Sequence, residues 1–357
     1  MKLTSTRLLL FIFVVSFTNC KKEINQRNVS RQDDPVYSTA SALPSSSPVT
    51  VGPVNMGHLT DYLFVFTNGN SDANWQGATK GFKGDVALNG IAARERTSGS
   101  VPYAGTIYTN NLLLNAWGLI VLQNSLPLLT PTQASVSLNE NTLINNLTSD
   151  LNAAFSQINA LTATPGYSSI SSSSLDGFNS QNGIAENFII NITTDLKVSS
   201  KIDITGDAGD VFILRWDSDG NPTNGYQGQT KFQSGGAIVP HGGLLPGNFI
   251  NVAGDIASSG GGSNPALPYP QGPRDNNGTG SLIENGSDFN GGGFFTGYWL
   301  TTGNPTTGNT SSLSNAIFVG GWYSITAKFS MTSGTSGVHT SAPANTGGGG
   351  DGGDPEK

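Results

Sequence analysis

Asn187–Gly220, NFIINITTDLKVSSKIDITGDAGDVFILRWDSDG, is the densest run of β-formers in the chain. Phe188, Ile190 and Ile192 alternate with residues of the opposite face, and Ile202 and Ile204 repeat the pattern after Lys201. Val211-Phe212-Ile213-Leu214 is continuously apolar. Turn residues separate the three, first Thr193-Thr194-Asp195 and then Gly206-Asp207-Ala208-Gly209. Alternation with period two, bounded by such punctuation, reads as three short strands of a sheet with at least one buried face.

Outward from this stretch the pattern echoes. Phe188–Leu196 is matched in type by Phe249–Ile256, and Phe295-Thr296-Gly297-Tyr298-Trp299 recurs 23 residues later as Phe318-Val319-Gly320-Gly321-Trp322. A spacing of about one solenoid coil, with Gly at the turns and aromatics in equivalent places, reads as stacked rungs. Tyr62–Phe66, Gly84–Gly90 and Gly105–Tyr108 read as further strands, and Leu112–Leu122, apolar almost all round, as a helix packed on several sides. Ser137 with Glu140 has the form of a capping box. Behind it Leu143, Leu147, Leu151, Ala154, Ile158 and Leu161 make one helical stripe, stopped by Thr164-Pro165-Gly166. The expected fold is therefore mainly β: a β-solenoid or β-helix-like domain with a long α-helix packed alongside. A β-sandwich is the alternative, since it too is built of short strands with Gly turns.

Composition points to an extracellular setting. Only 11% of the 357 residues are charged while Gly alone numbers 47, a polar, turn-rich surface that suits an exported β-protein. A net charge of −7 without any basic stripe excludes nucleic acid as a partner. Lys2 and Arg7 precede the apolar run Leu8–Val15, a secretory signal too short to span a membrane, and Cys20 follows it directly. Cys20 stands where bacterial lipoproteins carry their lipidated cysteine, although Asn19 replaces the usual small residue before it. The predicted organisation is a signal peptide at 1–19, then the lipidated Cys20 and a flexible Pro/Ser tether over 20–55. A β domain follows at 56–341, with a helical insert at about 110–161 and a Gly/Asn/Pro-rich loop at 258–293. A disordered tail closes the chain at 342–357. The expected location is the outer membrane or cell surface, held by the lipid alone, with secretion as the alternative.

Candidate chemistry is sparse. His58, His241 and His339 have no metal-set or triad spacing, and the one cysteine excludes a disulfide or a cysteine zinc site. No catalytic residue and no cofactor are expected. Asp217-Ser218-Asp219-Gly220-Asn221 places oxygen ligands at alternate positions, as calcium loops do, so Asp217, Asp219 and Asn221 are candidate ligands of a structural Ca2+. Pro222 and Gly228, where such loops carry Gly and Glu, argue for an acidic turn instead. Candidate ligand contacts are the aromatics Tyr269, Trp299 and Trp322 and the tandem hydroxyls Thr301, Thr302, Thr306 and Thr307. Strand aromatics more often face the core, and the Thr pairs sit in a Gly-Asn loop context.

Tyr62–Asp72, Gly84–Gly90, Asn187–Gly220 and the two Phe-x-Gly-x-Trp segments, ending at Ser336-Gly337-Val338-His339, resemble in order the choice-of-anchor A domain of bacterial surface proteins over about 57–341. Trp75–Lys83 and Gly297–Thr302 depart from that family's pattern. The element order is also similar to bacterial ice-binding proteins built on a β-helix with a flanking helix. The first resemblance implies a non-catalytic adhesion or recognition domain for an extracellular matrix or cell-surface polymer, protein or polysaccharide. The second implies ice binding. A carbohydrate-active enzyme is the third reading, and it requires a carboxylate pair in a cleft.

Overall fold

The computed structural model describes residues 37–38, 47–68, 72–75, 81–89, 103–110, 134–259, 293–303, 311–325, 328–331 and 336–340. Cys20, Tyr269, Thr306, Thr307, the candidate helix at 112–122, most of the 258–293 loop and the 342–357 tail lie outside them.

The chain opens with β1 (Tyr37–Ser38) and an antiparallel hairpin, β2 (Val49–Val51) and β3 (Val54–Gly57). One coil follows, β4 (Tyr62–Phe66), β5 (Asp72–Trp75) and β6 (Gly81–Lys83), and then β7 (Asp85–Leu88), β8 (Tyr103–Thr109) and β9 (Ala134–Ser137). The helix α1 runs from Asn141 to Ala160. Beyond it come β10 (Ile170–Ser171), β11 (Phe178–Asn179), β12 (Asn187–Thr194), β13 (Lys197–Val198) and β14 (Lys201–Gly206). The next coils are β15 (Val211–Trp216), β16 (Gln229–Gln233), β17 (Ala237–Gly242), β18 (Phe249–Ala253) and β19 (Asp255–Ser259). The chain closes with β20 (Phe294–Thr301), β21 (Ser311–Leu313), β22 (Ile317–Ser324), β23 (Lys328–Met331) and β24 (Ser336–Val338).

Among the described residues every strand pair outside the hairpin is parallel, and the strands stack in three ladders: a β-solenoid with a long α-helix, as the coil spacing predicts. The first ladder runs β10, β12, β15, β18, β20, β22, β4, β7, β8, β9, β1. The second runs β11, β14, β17, β20, β22, β24, β6, β8, with the long β20, β22 and β8 shared between the two. The third is β13, β16, β19, β21, β23, β5.

The stack is not in chain order. The last coil, β22 to β24, lies directly on the first, with Trp322 paired to Phe64, Lys328 to Asp72 and Ser336 to Gly81. The coils thus begin in the middle of the solenoid at β4, build toward the end where β1 pairs with β9, and must restart at the other end with β10. Nine ladder spacings of about 4.8 Å make that return roughly 43 Å. A helix of 20 residues supplies about 30 Å of it, which gives α1 its topological role.

Side chains of the strands divide between two cores. Inside the coils aromatics stack rung on rung. Phe188, Phe212 and Phe249 form one column at 5.0 and 5.1 Å, Phe295 and Phe318 meet at 4.8 Å, and Trp216 and Trp299 at 5.9 Å. Outside the first ladder Val211, Ile213, Ile250, Val252, Tyr298, Leu300 and Tyr323 pack under α1, which presents Leu143, Leu147, Leu151, Ala154 and Ile158. This explains the unbroken Val211–Leu214 run: β15 is buried on both faces. At the helix start the capping box takes another form. Ser137 belongs to β9, Glu140 is itself the N-cap residue, and the Ser137 hydroxyl donates to the Glu140 carboxylate at 2.5 Å.

Candidate functional site

Each outer surface of the solenoid has a different fate. The first ladder is covered by α1. On the second, Ala237, Val239, Phe294, Ile317 and Val319 form a buried apolar cluster, and toward the β11 end Asp203 lies 2.8 Å from His241 and 3.8 Å from Lys201. The third ladder carries a row of one residue per rung: Lys197, Lys231, Ala257, Ser312, Ser330, Asn74. Its register passes through all six strands without a bulge, so the rungs keep an even spacing. The alternate residues Val198, Phe232, Ile256, Leu313 and Met331 are buried in the coil interior. Lys197 and Ser312 are exposed, Lys231 is half-buried, and Ala257 is low in the row at 6% exposure. Ser259 and Gln233 stand beside the row at 3.5 Å from each other. By residue type the positions of the row from Ala257 to Asn74 are Ala, Ser, Ser and Asn. The sequence hints at it only faintly, in Ala257-Ser258-Ser259 and Ser311-Ser312.

The residues singled out from sequence fall elsewhere. Trp299 and Trp322 are fully buried and belong to the aromatic core. Thr301 is also fully buried: its hydroxyl donates to Ser324 Oγ at 2.8 Å and accepts from Trp322 Nε1 at 2.9 Å, a polar link inside the stack. Thr302 is half-buried and donates to the Gly303 carbonyl. The structure therefore gathers none of these four into an exposed surface.

Asp217, Asp219 and Asn221 do share a turn, at the end of β15. Asp217 is 2% exposed, and its Oδ1 accepts from Gln227 N at 2.8 Å. Asp219 Oδ1 accepts from Asn221 N at 2.9 Å and Oδ2 from Asn224 Nδ2 at 2.8 Å. Asn221 Oδ1 accepts from Thr223 N and, at 2.7 Å, from Thr223 Oγ1. Burial pushes the Asp217 carboxyl above the usual carboxylate range, and the hydrogen bond from Asn224 holds Asp219 below it. Among the described residues no three His, Cys, Asp or Glu side chains come together as a metal set. The histidines serve the scaffold: His58 lies 3.5 Å from Asp61, and His339 Nε2 meets the Thr60 carbonyl.

One functional residue of the scaffold escaped the sequence reading. Arg215, buried under α1, donates to Asn191 Oδ1 at 2.7 Å and to the Ile158 and Leu161 carbonyls at 3.2 and 2.9 Å. The Leu161 carbonyl follows the last turn of a helix that has no basic residue there, and the Ile158 carbonyl also accepts from Leu161 N at 3.2 Å.

No family model matches the chain, and no characterised protein matches it by sequence, so the choice-of-anchor A resemblance gains no support. Among solved structures it is similar to the Shewanella frigidimarina ice-binding protein 1 DUF3494 domain, at TM-score 0.44 and 13% identity over 82% of this chain and 98% of that one. A glycosylated ice-binding protein from Arctic yeast gives 0.42 and 12% over 82% and 96%. An ice-binding protein from an Antarctic Flavobacteriaceae bacterium gives 0.41 and 15% over 84% and 51%. At such scores the likeness carries no functional argument. Among the described residues no helix is long and apolar enough to cross a membrane.

Proposed function

We propose that this chain is a non-catalytic binder of ordered, extended surfaces, and that ice is the surface its third ladder fits. The observation that carries the reading is the unbroken register of the third ladder, one residue per rung through six strands, with Ser312 exposed on it. Backbone pairing fixes the spacing at about 4.8 Å, close to the oxygen repeat of hexagonal ice. Ala and Ser lose little side-chain entropy when immobilised, so a lattice of water can be held against the row at small cost. Each contact is weak, and their number along the ladder makes the attachment. The proposal puts the domain at the cell surface, held through lipidated Cys20 and a tether that gives way to the folded domain by the β2–β3 hairpin, where Val51 and Val54 are already buried.

Thermal hysteresis and ice-recrystallisation assays on residues 47–341 test this. Activity is expected, and Ser312→Arg is expected to abolish it while the circular dichroism spectrum and melting temperature stay unchanged. Absence of both activities at high micromolar concentration, or full activity in Ser312→Arg, would remove the ice reading. Adhesion to a polymer is the second reading. It is favoured by Lys197 and Lys231, like charges on paired strands at one end of the same row, which suit an anionic chain. Retention on an acidic polysaccharide column, lost in Lys231→Glu, together with no effect on ice, would establish it instead.

A further inference from the structure

The turn at the end of β15 holds a chemical problem that the protein alone leaves open. Asp217 Oδ1 accepts from Gln227 N, with Asp219 N further off at 3.5 Å. Its other oxygen, Oδ2, is buried and has no hydrogen-bond partner among the described residues. A carboxylate oxygen removed from water without a donor is costly to keep. Asp219, two residues on in the same turn, brings a second carboxylate, and its backbone N–H faces Asp217 Oδ1 and not the buried Oδ2. Two carboxylates in one turn repel unless something positive is shared between them. Arg215, two residues before, does not fill that role: its bonds go to Asn191, Ile158 and Leu161.

We propose that the turn Asp217–Asn221 binds a calcium ion bridged by the carboxylates of Asp217 and Asp219. The donor set is oxygen only, with no imidazole or thiolate, which selects a hard cation over a transition metal. Gly220, with φ of 66°, lets the chain curl around the two side chains. Asn221 Oδ1 is engaged by Thr223, so backbone carbonyls and water complete the shell. Two carboxylates on a partly open turn place the affinity in the weak class of extracellular modules, about 10⁻⁴–10⁻³ M. Such a site fills in a calcium-rich medium outside the cell and stays empty inside it. It would pin the corner between the first and third ladders, independently of what the third ladder binds.

The test uses the full chain stripped with EDTA and titrated with CaCl2 by isothermal calorimetry and thermal melting, with MgCl2 and NaCl at matched ionic strength. At ten times the dissociation constant Ca2+ is expected to raise Tm by about 3–6 °C. Asp219→Asn, at a position that is not buried in the core, is expected to fold and to lose both the heat and the shift. No calcium-specific heat and no shift in the parent protein overturns the proposal, and a higher Tm of Asp217→Asn without calcium then identifies a shared proton as the resident positive charge. A calcium shift that survives in Asp219→Asn also overturns it, by placing the ion elsewhere.

Discussion

Replacing Arg215 with Met is the sharpest test of how the helix is held to the solenoid. The guanidinium makes three hydrogen bonds, to Asn191 Oδ1 and to the carbonyls of Ile158 and Leu161, from a position that is 4% exposed. Hydrogen bonds from a charged donor contribute about 1.5–3 kcal/mol each, and a buried acceptor left without a donor costs about 1–3 kcal/mol. Against that loss stands relief of the guanidinium's desolvation, the same burial that lowers its pKa, and the apolar fill that Met supplies. The net loss is about 2–4 kcal/mol, or roughly 4–16 °C in Tm for a domain of this size. Arg215→Lys recovers only part of it, because one ammonium does not reach three acceptors in fixed directions. Urea unfolding followed by circular dichroism and tryptophan fluorescence gives the free energy. Hydrogen exchange locates the effect, with amides of residues 155–161 losing protection first. A stability within about 0.5 kcal/mol of the parent would refute the reasoning, since surface changes have that size.

Three further changes probe other parts of the molecule. Thr301→Val removes the acceptor used by Trp322 Nε1 and should cost about 1–3 kcal/mol in unfolding free energy, whereas Thr301→Ser should be close to neutral. Gly320→Ala sets a Cβ at 2.1 Å from the Gly297 carbonyl oxygen at a φ of +141°, so the rung must open. A loss of about 2–5 kcal/mol is expected by thermal melting, and a neutral result would mean the coils are not in close contact there. Asp85 has its carboxyl raised above 3.8, chiefly by burial. Native Asp85 thus binds its proton more tightly than the unfolded chain does, and stability falls as pH rises from 3.8 through the folded-state value. Asp85→Asn keeps the bond from Thr106 N and should be more stable at pH 7 with a flatter pH profile, measured by urea midpoints between pH 3.5 and pH 7.

The strands and their stacking were legible because both depend on local pattern. Phe295, Gly297 and Trp299 pair in register with Phe318, Gly320 and Trp322, as a repeat of one coil requires. The helix stripe from Leu143 to Ile158 was equally plain, since only one face is apolar. The order of the coils was not legible. An echo between two segments shows that they occupy equivalent places, and it leaves open which rungs lie between; β15 separates Phe188 from Phe249. The candidate surface was hidden for a related reason. Thr301, Trp299 and Trp322 look like binding residues by type, but a solenoid strand alternates inside and outside, and the shared strands β20 and β22 turn these residues inward. The row from Lys197 to Asn74 draws one residue from each of six separate strands, a pattern that only register can assemble.

The displaced order of the coils has a consequence for the biography of the molecule. Phe64 waits for Trp322, so a chain emerging from its N-terminus presents an open coil edge until nearly all of it has been made. Cut before Asn141 and joined from residue 340 back to residue 47, so that the β2–β3 hairpin is kept, the rungs from β10 to β9 would follow one another in strict succession, an ordinary end-to-end solenoid. Such a permutant should reach the same structure and do so faster, because neighbours in space would then be neighbours in time.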